Sequence, residues 1–186
     1  MTPNQISLSS VVFAVLAALC FWQVRAAPGA GGWLLLAGLF IQLRLLCNLL
    51  DGMVAVEGGK HSKAGELFND LPDRVADALI LLGAGYACPV AWQAELGWSA
   101  AWLAAMTAYV RTLNVSVGAP VDFRGPMAKP QRMAVLTLAC VLGWLESLWL
   151  GSAQYSLLTA LVLIIAGSVL TLVRRTRAAY QFLEQR

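Results

Sequence analysis

Apolar positions along the chain gather into six runs: Ile6 to Val24, Trp33 to Leu50, Val75 to Trp92, Leu96 to Val117, Met133 to Leu150 and Ser156 to Val173. Each run is about 18 to 22 residues, long enough for one helical crossing of a bilayer. The pattern predicts an all-α integral membrane protein with six transmembrane helices, a single domain over residues 1–186. MTPNQISLSS, ahead of the first run, contains no Lys or Arg, so that run is expected to stay as a permanent helix and not to be a secretory signal.

Composition agrees: hydrophobic residues make up 59% and charged residues 12% of the chain, outside the balance of a soluble domain. The basic residues set the orientation. Lys60 and Lys63 lie in the second connection, Arg124, Lys129 and Arg132 around the fourth, and Arg174, Arg175, Arg177 and Arg186 in the tail. Only Arg25 falls in a connection on the other side, with Glu95 and Glu146. Because Lys and Arg are retained on the cytoplasmic side, both termini are expected to be cytoplasmic. The net charge of +3 is accounted for by such loops near anionic lipid, and no nucleic-acid partner is expected. Cys20, Cys47, Cys88 and Cys140 stand singly in apolar segments without metal-ligand spacing and read as packing residues.

One stretch departs from this apolar background. Between Asn48 and Asp77 lie six of the ten acidic residues of the chain. Asn48 and Asp51, three apart, share a helix face; Asn69, Asp73 and Asp77, spaced by four, stack along one face if the third helix begins near Asn69, with Pro72 then in its first turn. Carboxylates this close repel unless a positive group lies between them. A hard divalent cation such as Mg²⁺, held by oxygen ligands and open to substrate phosphates, is one solution. Ion pairing with Lys60, Lys63 and Arg74 is the other. Further along, Arg111 is an isolated charge inside an apolar run and marks a candidate site, although pairing with an acid of the third helix would also explain it. Arg124, Lys129 and Arg132 follow on the same side and are either anchors at the membrane surface or a grip for a phosphorylated ligand.

The acidic stretch resembles the signature of the CDP-alcohol phosphotransferase (CDP-alcohol phosphatidyltransferase) family, D-x2-D-G-x2-A-R-x8-G-x3-D-x3-D. Asp51, Gly52, Ala55, Gly65 and Asp73 match it without a gap, while Asn48 and Asn69 stand at two Asp positions and Val56 at the Arg. The likeness extends to six segments in the family's order, to YVR in the fourth and to GPMAKPQRMA before the fifth.

The resemblance implies transfer of a phosphatidyl group from CDP-diacylglycerol to an alcohol, with release of CMP, in phospholipid synthesis. The basic cluster favours a glycerol phosphate or inositol phosphate acceptor. By the same resemblance Asp73 is the catalytic base, and Asn48, Asp51, Asn69, Asp73 and Asp77 are candidate ligands of Mg²⁺ or Mn²⁺. Gly52, Ala55 and Gly65 let the nucleotide approach the backbone, Arg44 substitutes for the missing motif Arg, and Arg111, Arg124, Lys129 and Arg132 hold the acceptor. A homodimer in the cytoplasmic membrane, its active site facing the cytoplasm, is the implied setting. A non-catalytic relative that binds lipid or nucleotide is the alternative that the two Asn residues raise.

Overall fold

In the computed structural model the described residues are 3–27, 31–57, 65–153 and 155–185; the side chains of residues 3, 4, 55–57, 65, 66, 68 and 69 lie outside that description. The described residues form six helices and no strand: α1 (Pro3–Ala26), α2 (Gly32–Glu57), α3 (Gly65–Ala87), α4 (Gln93–Ser116), α5 (Lys129–Leu150) and α6 (Ser156–Glu184). Four of them, α1, α2, α5 and α6, are long and apolar enough to cross a membrane. That marks an integral membrane protein.

α3 and α4 are more polar than the other four helices and do not by themselves establish a crossing. α3 begins at Gly65, well before Val75, and its first half carries Glu66, Asp70, Asp73, Arg74 and Asp77. α4 contains Glu95, Arg111 and many small or hydroxylated residues. The early start also places Pro72 inside α3 and not in its first turn. An interior proline removes the bond to the carbonyl four residues back and costs about 3 kcal/mol. Asp73 and Asp77, on the turns that follow, tie this part of α3 to its neighbours and offset that weakness.

The helices close a ring in which each packs on two others: α1 on α2 and α3, α3 on α4, α4 on α6, α6 on α5, and α5 back on α2. α3 also touches α6 across the middle. The shared interior is filled by Phe21, Leu34, Ile41, Ile80, Leu81, Leu136, Leu157 and Ile164, all wholly buried, while large apolar side chains such as Leu8, Trp102 and Leu163 face outward. An apolar exterior around an apolar core is what a bilayer solvent favours. Small residues let backbones approach: a Cβ on Gly85 of α3 would lie 2.4 Å from Cα of Gly97 in α4. Cys20, Cys88 and Cys140 are buried free thiols, in keeping with a packing role.

Candidate active site

Because successive helices run in opposite directions, the end of α2, the start of α3, the end of α4 and the start of α5 meet at one end of the ring. There Asp73 and Asp77 of α3 point into the interior, 6% and 2% exposed. Arg44 of α2 reaches both, its NH2 lying 3.0 Å from Asp73 Oδ1 and 2.8 Å from Asp77 Oδ1. Asn48, one turn along the same face, donates Nδ2 to Asp73 Oδ1 at 2.6 Å. From α5, the Lys129 ammonium donates to Asp73 Oδ2, and Arg132 NH2 donates to Asp77 Oδ2 at 3.1 Å. The pair of acids is thus matched by three cations of the chain, as buried charges require.

Asp51 sits apart from this network. It is 3% exposed, and its Oδ2 accepts the Ser7 hydroxyl of α1 at 2.6 Å. Its Oδ1 is buried without a hydrogen-bond partner among the described residues; Asp77 Oδ1 lacks one too, but it has the Arg44 guanidinium as an ion-pair partner.

A cavity of about 350 Å³ opens beside Asp73. Its lining includes Asn48, Asp70 and Asp73 together with Arg74, Arg111, Lys129, Arg132 and Arg175, five basic side chains against two carboxylates. Arg111 NH2 lies 3.4 Å from Asp70, and its guanidinium rests 5.8 Å from the Phe123 ring centre. A second cavity, about 540 Å³, adjoins across the same Asp70, Arg111 and Phe123. Arg111 thus pairs with an acid of the third helix, as one sequence reading held, yet stays partly exposed on the partition between two cavities.

The loop from Val117 to Ala128 covers one side of the first cavity. Gly125, with φ +136, runs so close to α6 that a Cβ there would meet Thr171 Cγ2 at 2.4 Å. Thr171 Oγ1 accepts the Met127 N–H at 3.0 Å. Arg175 of α6 is 4% exposed and donates Nε to the Arg124 carbonyl at 3.0 Å and NH1 to the Thr107 carbonyl at 2.9 Å. Thr107 Oγ1 in turn accepts Arg132 NH1 at 3.1 Å. Sequence reading took Arg175 for one more basic residue of the tail and passed over Thr107 and Ser7. A hydroxyl within or beside an apolar run was the only signal for the latter two.

The expected residues separate into groups. Asn48, Asp73, Arg111, Lys129 and Arg132 come together around the cavity. Arg44 does not line it: it is 0% exposed, its NH2 is held by Asp73 and Asp77, and its Nε and NH1 are buried without a hydrogen-bond partner among the described residues. Arg124 turns outward, its side chain 76% exposed and paired with Asp122 through Nε–Oδ1 at 3.0 Å. Those hydrogen bonds hold the Asp122 carboxyl below its usual range, with burial working against them. Gly52 is on α2, half-buried, one residue beyond Asp51. The side chains of Ala55 and Asn69, and the surroundings of Gly65, lie outside the described residues.

Among the described residues no three His, Cys, Asp or Glu side chains come together as a metal cage. The donor set nevertheless divides. Every oxygen of Asp73 and Asp77 faces a basic group, which does not fit a divalent cation between them. Asp51 Oδ1, which meets neither a cation nor a hydrogen-bond donor among the described residues, does fit one.

A family model described as CDP-alcohol phosphatidyltransferase matches residues 1–173. The chain is 25% identical to a phosphatidylinositol phosphate synthase of Streptomyces avermitilis over 183 residues, which cover 94% of this chain and 70% of that one. It is 26% identical to the protein of the same name from Mycobacteroides abscessus, over 95% of this chain and 76% of the other. The fold is shared with crystal structures of Mycobacterium tuberculosis phosphatidylinositol phosphate synthase (PgsA1). The complex with manganese and citrate has a TM-score of 0.78 at 18% identity, covering 97% of this chain and 83% of that one. The form with CDP-DAG bound has a TM-score of 0.76 at 18% identity, covering 97% and 87%.

Proposed function

The chain belongs to the CDP-alcohol phosphatidyltransferase family, and from that premise we propose that it transfers a phosphatidyl group from CDP-diacylglycerol to a phosphorylated alcohol, inositol phosphate before glycerol phosphate, releasing CMP. The observation that carries the acceptor is the lining of the cavity beside Asp73, where basic side chains outnumber carboxylates. A phosphate dianion suits that excess, and an uncharged alcohol would leave it unmatched. Relatives named phosphatidylinositol phosphate synthase support the order of the two acceptors.

In this reading the acceptor phosphate enters beside Arg111 and Lys129, drawing the Lys129 ammonium off Asp73 Oδ2. Asp73, still held through Oδ1 by Arg44 and Asn48, then takes the proton of the acceptor hydroxyl. The hydroxyl oxygen forms a bond to the phosphorus that bears the diacylglycerol, the bond from that phosphorus to the CMP oxygen breaks, and CMP leaves with the electron pair. Arg111, on the partition between the cavities, is placed to touch groups bound in either one. Arg132 and Arg175 fix the walls; they are bonded to Asp77, Thr107 and the Arg124 carbonyl and are not free to move with substrate. A divalent cation, Mg²⁺ or Mn²⁺, would be held at Asp51 with Asn48 and would supply charge neutralisation for a diphosphate when bound. Nucleotide contact with the backbone at Gly52, Ala55 and Gly65 is part of the same proposal.

The setting that supports this chemistry has all six helices across the cytoplasmic membrane, the charges of α3 and α4 shielded within the ring, both termini and the site on the cytoplasmic side, and two chains in a homodimer. The test is CMP release by the purified protein from CDP-diacylglycerol against inositol phosphate, glycerol phosphate, inositol and serine. Release that requires a phosphorylated acceptor and is lost in Asp73→Asn supports the reading. Release with serine or inositol alone refutes the acceptor, and no release with any alcohol refutes the transfer.

A further inference from the structure

Arg44 is among the largest wholly buried side chains of the protein. It shares one face of α2 with Asn48 and Asp51, at spacings of four and seven residues. Its NH2 bridges Asp73 Oδ1 and Asp77 Oδ1 and also donates to the Asp73 carbonyl at 3.3 Å. Across the pair, Lys129 takes Asp73 Oδ2 and Arg132 takes Asp77 Oδ2. The four carboxylate oxygens each meet a cation that is part of the chain.

Charge decides what this centre can accept. Two carboxylates and three cations already leave it with an excess of positive charge, and a divalent ion placed between the acids would add two more in a buried volume. Asn48 turns its amide N–H toward Asp73, so it meets that carboxylate as a donor. An acid at that position would face Asp73 with like charge and require a metal; the amide does not. Among the described residues Asp51 meets no such cation: Ser7 satisfies Oδ2, and Oδ1 is buried and unpartnered.

We propose that the Asp73–Asp77 pair of this chain is closed to divalent metal, that Arg44 is its built-in cation, and that Asp51 is the carboxylate at which a single divalent ion binds. Arg44 is then a positioning residue. It presents Asp73 at a fixed place from inside the ring, leaving the Oδ2 side toward Lys129 and the cavity for the acceptor. A metal bridging Asp73 would compete for that side. This deepens the transfer reading and rests on it only for the acceptor; the ion pairs stand without it.

The experiment counts Mn²⁺ bound per chain by electron paramagnetic resonance, with the purified protein in detergent, with Mn²⁺ alone and with Mn²⁺ plus CDP-diacylglycerol, no acceptor being present. One ion per chain is expected in wild type, none in Asp51→Asn, and two in Arg44→Leu/Asn48→Asp, where the guanidinium is gone and the acid supplied. Two ions in wild type, none in wild type, or an ion retained by Asp51→Asn overturns the proposal. So does a folded double variant that gains no ion. If the double variant does not fold, the wild-type and Asp51→Asn counts decide alone. Counting needs no turnover, so two ions in an active transferase defeat this inference only, and one ion in an inactive protein defeats the transfer reading only.

Discussion

α3 places three carboxylates within eight residues, and they come to rest under opposite conditions. Asp73 and Asp77 have side chains 8% and 3% exposed, and each is gripped by cations from α2 and α5. Asp70 is 52% exposed, with Arg74 and Arg111 at 3.2 and 3.4 Å. The cause is axial: seven residues turn a helix to within about 20° of two full circles, so Asp70 nearly shares the face of Asp77, but at about 1.5 Å per residue it lies about 10 Å nearer the start of α3, at the mouth of the ring. Inside the ring, charge is fixed in place. At its mouth, charge is loosely held and exchangeable with a ligand. Catalysis calls for both, a base that does not wander and cations free to close on an anion.

The largest effect expected from this contrast is on turnover. Asp73→Asn should lower CMP release by about 10² to 10⁴-fold, the range of a lost general base, whereas Asp70→Asn should stay within about tenfold, the cost of one exposed charge contact. Equal losses in the two would erase the distinction. Next comes stability. Arg132→Met leaves Asp77 buried with Arg44 alone and strips Thr107 and the Met127 carbonyl of a donor. Breaking such a buried pair costs about 3 to 5 kcal/mol, read as a fall in thermal midpoint in detergent. Arg111→Ala, at the mouth, should change the midpoint little and raise KM for the phosphorylated acceptor about 10 to 100-fold, the worth of one hydrogen bond to a charged group. A KM effect confined to CDP-diacylglycerol would move Arg111 to the other cavity.

The helical class, the number of helices and the shared face of Asp73 and Asp77 were legible in the chain, because apolar runs and i, i+4 spacing are local signals. The ion pairs were expected with Lys60, Lys63 and Arg74, and Lys129 and Arg132 were not foreseen as partners. Helix extents were less so. The polar first half of α3 carries no apolar run, so its start at Gly65 was hidden until packing against α1 and α4 could stabilise it. The partners of the acids were hidden for another reason. Arg44 with Asp77, Arg132 with Asp77 and Arg175 with Thr107 join residues far apart in sequence. Nothing periodic in the chain records which helices are neighbours in the ring. Arg44 was read as facing a nucleotide because it shares a helix face with Asn48, yet that face turns inward.

A fourth carboxylate sharpens the comparison at its weak end. Asp122, in the loop over the cavity, accepts Arg124 backbone N at 2.8 Å and Nε at 3.0 Å, and is shielded while Arg124 is open to solvent. Since Arg124 holds the carboxyl below its usual range in the folded protein, folding favours the ionised form. The stabilisation is fully present above the unfolded carboxylate value and is lost as pH falls through the lower folded one. Wild type should therefore resist proteolysis in the 117–128 loop better than Asp122→Asn at neutral pH, and the difference should shrink as the medium is acidified past the ordinary carboxylate range. High salt should narrow it as well, because the cation is exposed. Acceptor KM should not follow, since Arg124 points away from the cavity. If KM rises in Arg124→Ala while the loop stays protected, the exposed guanidinium binds substrate after all, and the mouth of the site extends further along the loop than Phe123.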